Sequence, residues 1–346
     1  MRGRMTGWRG RLVGLYAILA LANIGVWGWA LVLFRGQPLL LGTALLAYGF
    51  GLRHAVDADH IAAIDNVTRK LMQEGKRPVS VGFCFALGHS TVVILAALAV
   101  AATTAGFAAR LGTFQAYGGI VGTLVSAVFL FAIAAMNGAI LVGVWRVFQR
   151  VRRGGAYVDA DFDLLLNNRG FLARILRPLF RLVSEAWHMF PLGFLFGLGF
   201  DTATEIALLG ISATQATQGM SIWSIMVFPA LFTAGMSLID TTDGVIMLGA
   251  YDWAFVKPVR KLYYNLVITG VSVVVAVLIG GIETLGLLGD QLGLHGWFWD
   301  GVVGLNENFN TLGFAIVGVF VVAWSASVVL YRYSGLDRLE VGNTRR

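Results

Sequence analysis

Charge is scarce in this sequence. Charged residues make up 13% of its 346 positions, whereas a soluble globular chain carries about 25%. Apolar residues take their place, at 57%, and the mean hydropathy is +0.75. Several apolar runs reach the roughly 20 residues needed to cross the hydrocarbon core of a bilayer. A soluble fold is thereby excluded, and an all-α polytopic membrane protein is expected. Cysteine is nearly absent. Cys84 stands alone, so no intramolecular disulfide and no thiolate-rich metal centre can form. No GxxxxGK[ST] phosphate loop occurs, so neither an ATP-driven step nor an ATPase subunit is implied, and no HExxH protease motif occurs. Five histidines are too few and too scattered for a membrane di-iron oxygenase. No soluble catalytic domain fits between the apolar runs, and an enzyme is not expected.

The apolar runs predict eight transmembrane helices, at 12–34, 39–65, 80–107, 115–145, 189–212, 223–250, 262–289 and 307–331, by length and hydropathy. The first follows Arg2, Arg4, Arg9 and Arg11, like a secretion signal. It is too long for one and lacks a small-x-small cleavage site, so it is expected to be a retained helix. Basic residues cluster in Arg2–Arg11, Arg69–Arg77, Arg146–Arg181, Lys257–Lys261 and Arg332–Arg346. In an eight-span layout all five clusters fall on one side. Only Arg35 and Arg110 fall on the other, and Arg53 lies within a span. The positive-inside rule then puts both termini in the cytoplasm of a multi-pass protein of the prokaryotic inner membrane. The net charge of +7 thus reports orientation in the lipid bilayer, with no nucleic acid as partner. Residues 146–188 are the one long connection and divide a single transporter domain, 1–346, into two four-helix halves. Phe50-Gly51-Leu52 and Phe196-Gly197-Leu198, each followed by acidic residues, echo one another in spans of opposite direction. An inverted repeat of the two halves is the corresponding hypothesis.

The second span carries Arg53-His54-Ala55-Val56-Asp57-Ala58-Asp59-His60-Ile61. Five of these nine residues are ionisable, and each charge at the middle of a membrane helix costs roughly 2.5–3.5 kcal/mol on insertion scales. Such a cluster persists where its groups pair, line a wet cavity or hold a cation. Imidazole and carboxylate together suit a borderline divalent transition metal. On an ideal helix at about 100° per residue, His54, Asp57 and His60 share one face and Asp59 points away. Either Asp59 supports a ligand, or the helix opens near Gly49 and Gly51. Arg53, four residues before Asp57, is placed to pair with it. The competing reading is a polar staple between helices.

The next spans add to the set. His89, in Leu87-Gly88-His89-Ser90, is the natural further imidazole from a neighbouring helix, and otherwise a buried hydrogen-bonded histidine. Asp201 and Glu205 share a face of the fifth span, and Asp240 and Asp243 share a face of the sixth. Four acids without a basic partner in either span read as a cation or proton pathway, or as protonated staples. Asn137 is a neutral oxygen ligand or a plain interhelical hydrogen bond. Glu283 and His188, near span ends, are expected to face water.

Arg53–Ile61 resembles the signature of the nickel/cobalt transporter family, whose second helix carries an H-x4-D-H element, here His54, Asp59 and His60. Leu87–Val92, Leu198–Glu205 and Gly235–Gly244 are similar to that family's further motifs, in the same order. The resemblance implies uptake of Ni²⁺ or Co²⁺ across a prokaryotic cytoplasmic membrane, with no permanently bound cofactor. It assigns metal handling to Asp59, whereas helix geometry favours Asp57. The expected activity is a secondary permease, with His54, Asp57, Asp59, His60 and His89 as the metal set. Asn137, Asp201, Glu205, Asp240 and Asp243 are expected along the pathway. Two other readings remain open: a metal exporter, disfavoured by the lack of a His-rich loop, and a metal-dependent intramembrane enzyme or assembly factor.

Overall fold

The computed structural model describes residues 2–102, 108–153, 183–198, 203–254 and 258–333. Among them all regular secondary structure is helical. The helices are α1 (Arg2–Leu33), α2 (Pro38–His54), α3 (Ala58–Gln73), α4 (Val81–Ala102), α5 (Ala108–Arg152) and, after a 3₁₀ turn at Ala186–His188, α6 (Met189–Gly197). They continue as α7 (Ala203–Thr217), α8 (Ile222–Ile225), α9 (Val227–Ala254), α10 (Pro258–Leu292), α11 (Trp297–Glu307) and α12 (Phe309–Tyr333).

Among the described residues five stretches are long and apolar enough to cross a membrane: Trp8–Leu33, Val81–Ala102, Tyr117–Arg150, Ile222–Tyr251 and Leu266–Leu292. Two bent pairs, α2 with α3 and α11 with α12, raise the number to seven if each pair is one span. The remaining expected span, the fifth at 189–212, covers α6 and α7, and residues 199–202 between them lie outside the described set. Large aliphatic side chains stand exposed around the perimeter, such as Leu21 at 70% and Val32 at 79%. They face outward because lipid, unlike water, does not penalise them.

The second span departs from the regular helix expected over 39–65. It breaks at Ala55–Asp57, bends by 52° and continues to Gln73. The break falls after His54 and not at Gly49 or Gly51. Its cause is local. Asp57 takes the N-cap position of α3 in extended backbone, φ −66° and ψ 146°, without a side-chain capping hydrogen bond, and aspartate is disfavoured in a helix interior. Beyond the break the helix is polar yet enclosed. Asp65, Asn66, Thr68, Arg69 and Lys70 are all buried. Arg69 and Lys70, expected in a cytoplasmic connection, therefore lie inside the protein. Packing explains their tolerance, since α3 is surrounded by α4, α5, α9, α10 and α12, and partners on the facing chain replace water. Lys70 Nζ, for example, donates to the Val183 carbonyl at 2.6 Å.

Close helix crossings position α4, the carrier of His89. Its Gly82 abuts the Asp240 carbonyl of α9, and Gly88 abuts the Phe190 carbonyl of α6. Gly193 of α6 meets the Phe85 carbonyl in return. A Cβ at any of the three would overlap backbone, which cannot turn aside as a side chain can. Gly82→Val is expected to destabilise the protein by about 1–3 kcal/mol, the usual cost of overpacking, and to shift α9 away from α4. A thermal-unfolding comparison in detergent checks this, and an unchanged midpoint counts against the tight crossing.

Candidate metal centre

Three imidazoles meet at the break in the second span. His54 is the last residue of α2, His60 lies in the first turn of α3, and His89 projects from the middle of α4. They are 1%, 1% and 4% exposed. One ring nitrogen from each falls within 4.8 Å of the others. The bend is what brings the first two together. Six residues of continuous helix would separate them by about 9 Å along the axis. Their ring centroids are instead 4.8 Å apart, and each ring is as close to His89, at 4.7 and 4.9 Å.

Two of the imidazoles, His54 and His60, have a carboxylate at one ring nitrogen, whereas His89 Nδ1 has no hydrogen-bond partner among the described residues. His54 Nδ1 faces Asp57 Oδ2 at 3.1 Å and Thr204 Oγ1 at 3.3 Å. That leaves Nε2 turned inward, 2.9 Å from His89 Nε2. His60 Nδ1 lies 3.3 Å from both carboxylate oxygens of Asp240. A carboxylate on one ring nitrogen fixes the tautomer and makes the other a better ligand. Glu205, from α7, enters the cluster itself, with Oε1 2.8 Å from His89 Nε2 and 3.9 Å from His54 Nε2. Phe85 packs edge-on against His60 at 4.7 Å, and Phe232 lies 5.4 Å from His54. These rings give the site apolar walls that strengthen its electrostatics.

The two aspartates of the motif are placed differently. Asp57 contacts His54 from behind. Asp59 is half-buried, and its Oδ1 accepts the backbone N–H of His60 at 2.9 Å, which holds the first turn of α3. Arg53 is exposed in the last turn of α2, where its charge acts on Asp57. Asp243 lies one turn beyond Asp240, half-buried, and its Oδ2 has no hydrogen-bond partner. Asn137 is fully buried and donates to Asn66 Oδ1 at 2.8 Å. Asp201 lies outside the described residues. His188, expected to be solvated, accepts the Ser184 N–H at 3.0 Å through Nδ1. Glu283 does not face water, being 5% exposed and accepting the Ser126 hydroxyl at 2.8 Å. Span periodicity cannot see such partners, because they arrive from helices far off in the chain.

Sequence reasoning put Glu205 on the pathway and missed its contact with His89. It also missed the polar face of α3. The signal for that face was present, as Asp65, Asn66, Thr68, Arg69 and Lys70 continue the helical register of the motif.

The chain is similar to known proteins along nearly its whole length. The model of the high-affinity nickel-transport protein family matches residues 40–330. The chain is 62% identical over 333 residues to a high-affinity nickel transport protein of Cupriavidus necator, covering 96% of this chain and 95% of that one. It is 54% identical to the hydrogenase nickel incorporation protein HupN of Bradyrhizobium diazoefficiens, over 94% of this chain and 87% of that one. It is 40% identical to the cobalt transport protein NhlF of Rhodococcus rhodochrous, over 90% of each. No solved structure matches the chain. With nearly the whole chain matched, its broken second span and its histidine cluster included, this protein belongs to the high-affinity nickel-transport protein family.

Proposed function

We propose that this protein is a secondary permease that takes up Ni²⁺, and Co²⁺ as a second cargo, across the prokaryotic inner membrane. The observation that carries the reading is the buried convergence of His54, His60 and His89 at a break in a membrane helix. Relatives named for nickel and for cobalt transport support both cargoes. The basic clusters, without the buried Arg69 and Lys70 of the second, support eight spans with both termini in the cytoplasm.

The donor atoms stand close enough to turn onto one ion, with His54 Nε2 2.9 Å from His89 Nε2 and His89 Nε2 2.8 Å from Glu205 Oε1. Imidazole and carboxylate together suit a borderline divalent transition metal, and the choice of Ni²⁺ and Co²⁺ among these rests on the relatives. The ion exchanges its hydration water for His54, His60, His89 and Glu205. Asp57 and Asp240 hold two of these imidazoles in place. Asp240 and Asp243, one turn apart on α9, continue inward from His60 and support release in that direction. Asp201 and Asn137 complete the proposed path.

The test is radiolabelled nickel accumulation in cells carrying the protein, against cells without it. Accumulation is expected, with suppression by excess cobalt. Lower cellular nickel than in the control would instead make the protein an exporter. Unchanged nickel, with metal still bound by purified protein, would point to an enzyme or assembly factor.

A further inference from the structure

Asp65 and Arg69 stand four residues apart on α3, the spacing at which opposite charges pair on a helix. Here they are held apart. Asp65 Oδ1 accepts the Tyr251 hydroxyl at 2.6 Å, and Oδ2 accepts the Ser272 hydroxyl at 2.6 Å. Arg69 Nη2 donates to Asn66 Oδ1 at 2.6 Å, the same oxygen that accepts Asn137 Nδ2. Nε and Nη1 of Arg69 make no hydrogen bond. Among the described residues no carboxylate forms an ion pair with Arg69, although its guanidinium is 0% exposed. A buried charge with a neutral clamp as its only partner is costly, and a natural partner lies one turn away with both oxygens capped. Arg69 is near enough for its charge to act on Tyr251, one of those caps. The helical spacing allows a second arrangement in which the guanidinium turns onto Asp65, and two arrangements are what a switching element requires.

The location gives this a role. α3 and α9 run side by side in the same direction, with His60 beside Asp240, Ile64 and Thr68 beside Gly244, and Asp65 bonded to Tyr251. Arg69 lies nine residues beyond His60, about 13 Å further along the helix. A divalent cation leaving the histidines along this seam meets a guanidinium that no carboxylate pairs with among the described residues. Resting on the uptake reading above, we propose that Arg69 is the inner gate charge. Clamped by Asn66 and Asn137 it bars the ion, and it opens the path by turning onto Asp65, which neutralises it. Arg69 touches no cargo in either position and acts through the field it sets.

The experiment is radiolabelled nickel flux in proteoliposomes holding the full-length protein, with nickel binding to the purified protein measured alongside. Asp65→Asn removes the site onto which Arg69 turns. It is expected to slow flux at least about tenfold, within the usual range of coupling between sites, with nickel binding retained. Arg69→Gln removes the barrier, so vesicles preloaded with nickel are expected to leak faster than wild type. Arg69→Lys, which keeps the charge, is expected to keep them tight. The double variant Asp65→Asn/Arg69→Gln is expected to leak like Arg69→Gln, because the carboxylate matters only while the guanidinium is present. A double variant as slow as Asp65→Asn, or an Arg69→Lys protein that leaks like Arg69→Gln, overturns the gate. If wild-type vesicles move no nickel, the uptake reading fails instead.

Discussion

Replacing His89 by alanine is expected to lower nickel accumulation at limiting nickel by more than about 100-fold, beyond the range for residues that only support a ligand. His89 is the junction of the site. Its Nε2 lies 2.9 Å from His54 Nε2 and 2.8 Å from Glu205 Oε1. Its loss also leaves Glu205, 1% exposed, without its nearest imidazole. Removing one partner of a buried charged pair costs about 3–5 kcal/mol, so the variant's membrane level must be measured with its transport. His89→Ala that reaches the membrane and transports at the wild-type rate would remove His89 from the site.

The second large effect concerns a residue behind the ligands. Asp240→Asn is expected to weaken nickel binding by about 10- to 100-fold, the usual cost of losing a partner that orients a metal-bound histidine. The amide is nearly the same size as the carboxylate, so packing against Gly82 is preserved. What changes is the charge 3.3 Å from His60 Nδ1. An amide can offer its N–H to Nδ1 as readily as its oxygen, so the tautomer of His60 is no longer fixed. Equilibrium binding of radiolabelled nickel to the purified variant checks this. Asp57→Asn, with its partner His54 at 3.1 Å, should move binding in the same direction. Binding unchanged in Asp240→Asn would make that aspartate a pathway group and not an orienting one.

Much of the site was legible before any tertiary contact. His54, His60 and His89 announced themselves because ionisable groups inside apolar runs are expensive, and the chain holds few of them. Asp240 and Glu205 were legible for the same reason. Their division of labour was not. On an ideal helix Asp57 shares a face with both histidines. In the structure the helix ends between them, so Asp57 contacts His54 from behind and Asp59 turns back to the His60 backbone. Periodicity assumes a continuous helix, and an aspartate acting as an N-cap breaks that assumption.

By itself the sequence determined the class, the approximate spans and the chemistry of the donors, because hydropathy and the cost of buried charge are local properties of the chain. Tertiary structure decided which donors meet. The break at Ala55–Asp57 brings His60 to His54, and glycine crossings set α4 between α6 and α9. Glu205, 116 residues from His89 in the chain, becomes its neighbour. It also decided that α3 is interior. Asp65, Asn66, Arg69 and Lys70 look like the start of a cytoplasmic loop when only water is available to satisfy them. They become core residues once neighbouring helices supply Tyr251, Ser272, Asn137 and the Val183 carbonyl as partners. No pattern within one segment carries that information, since a buried polar group is stable only through groups the fold brings from elsewhere.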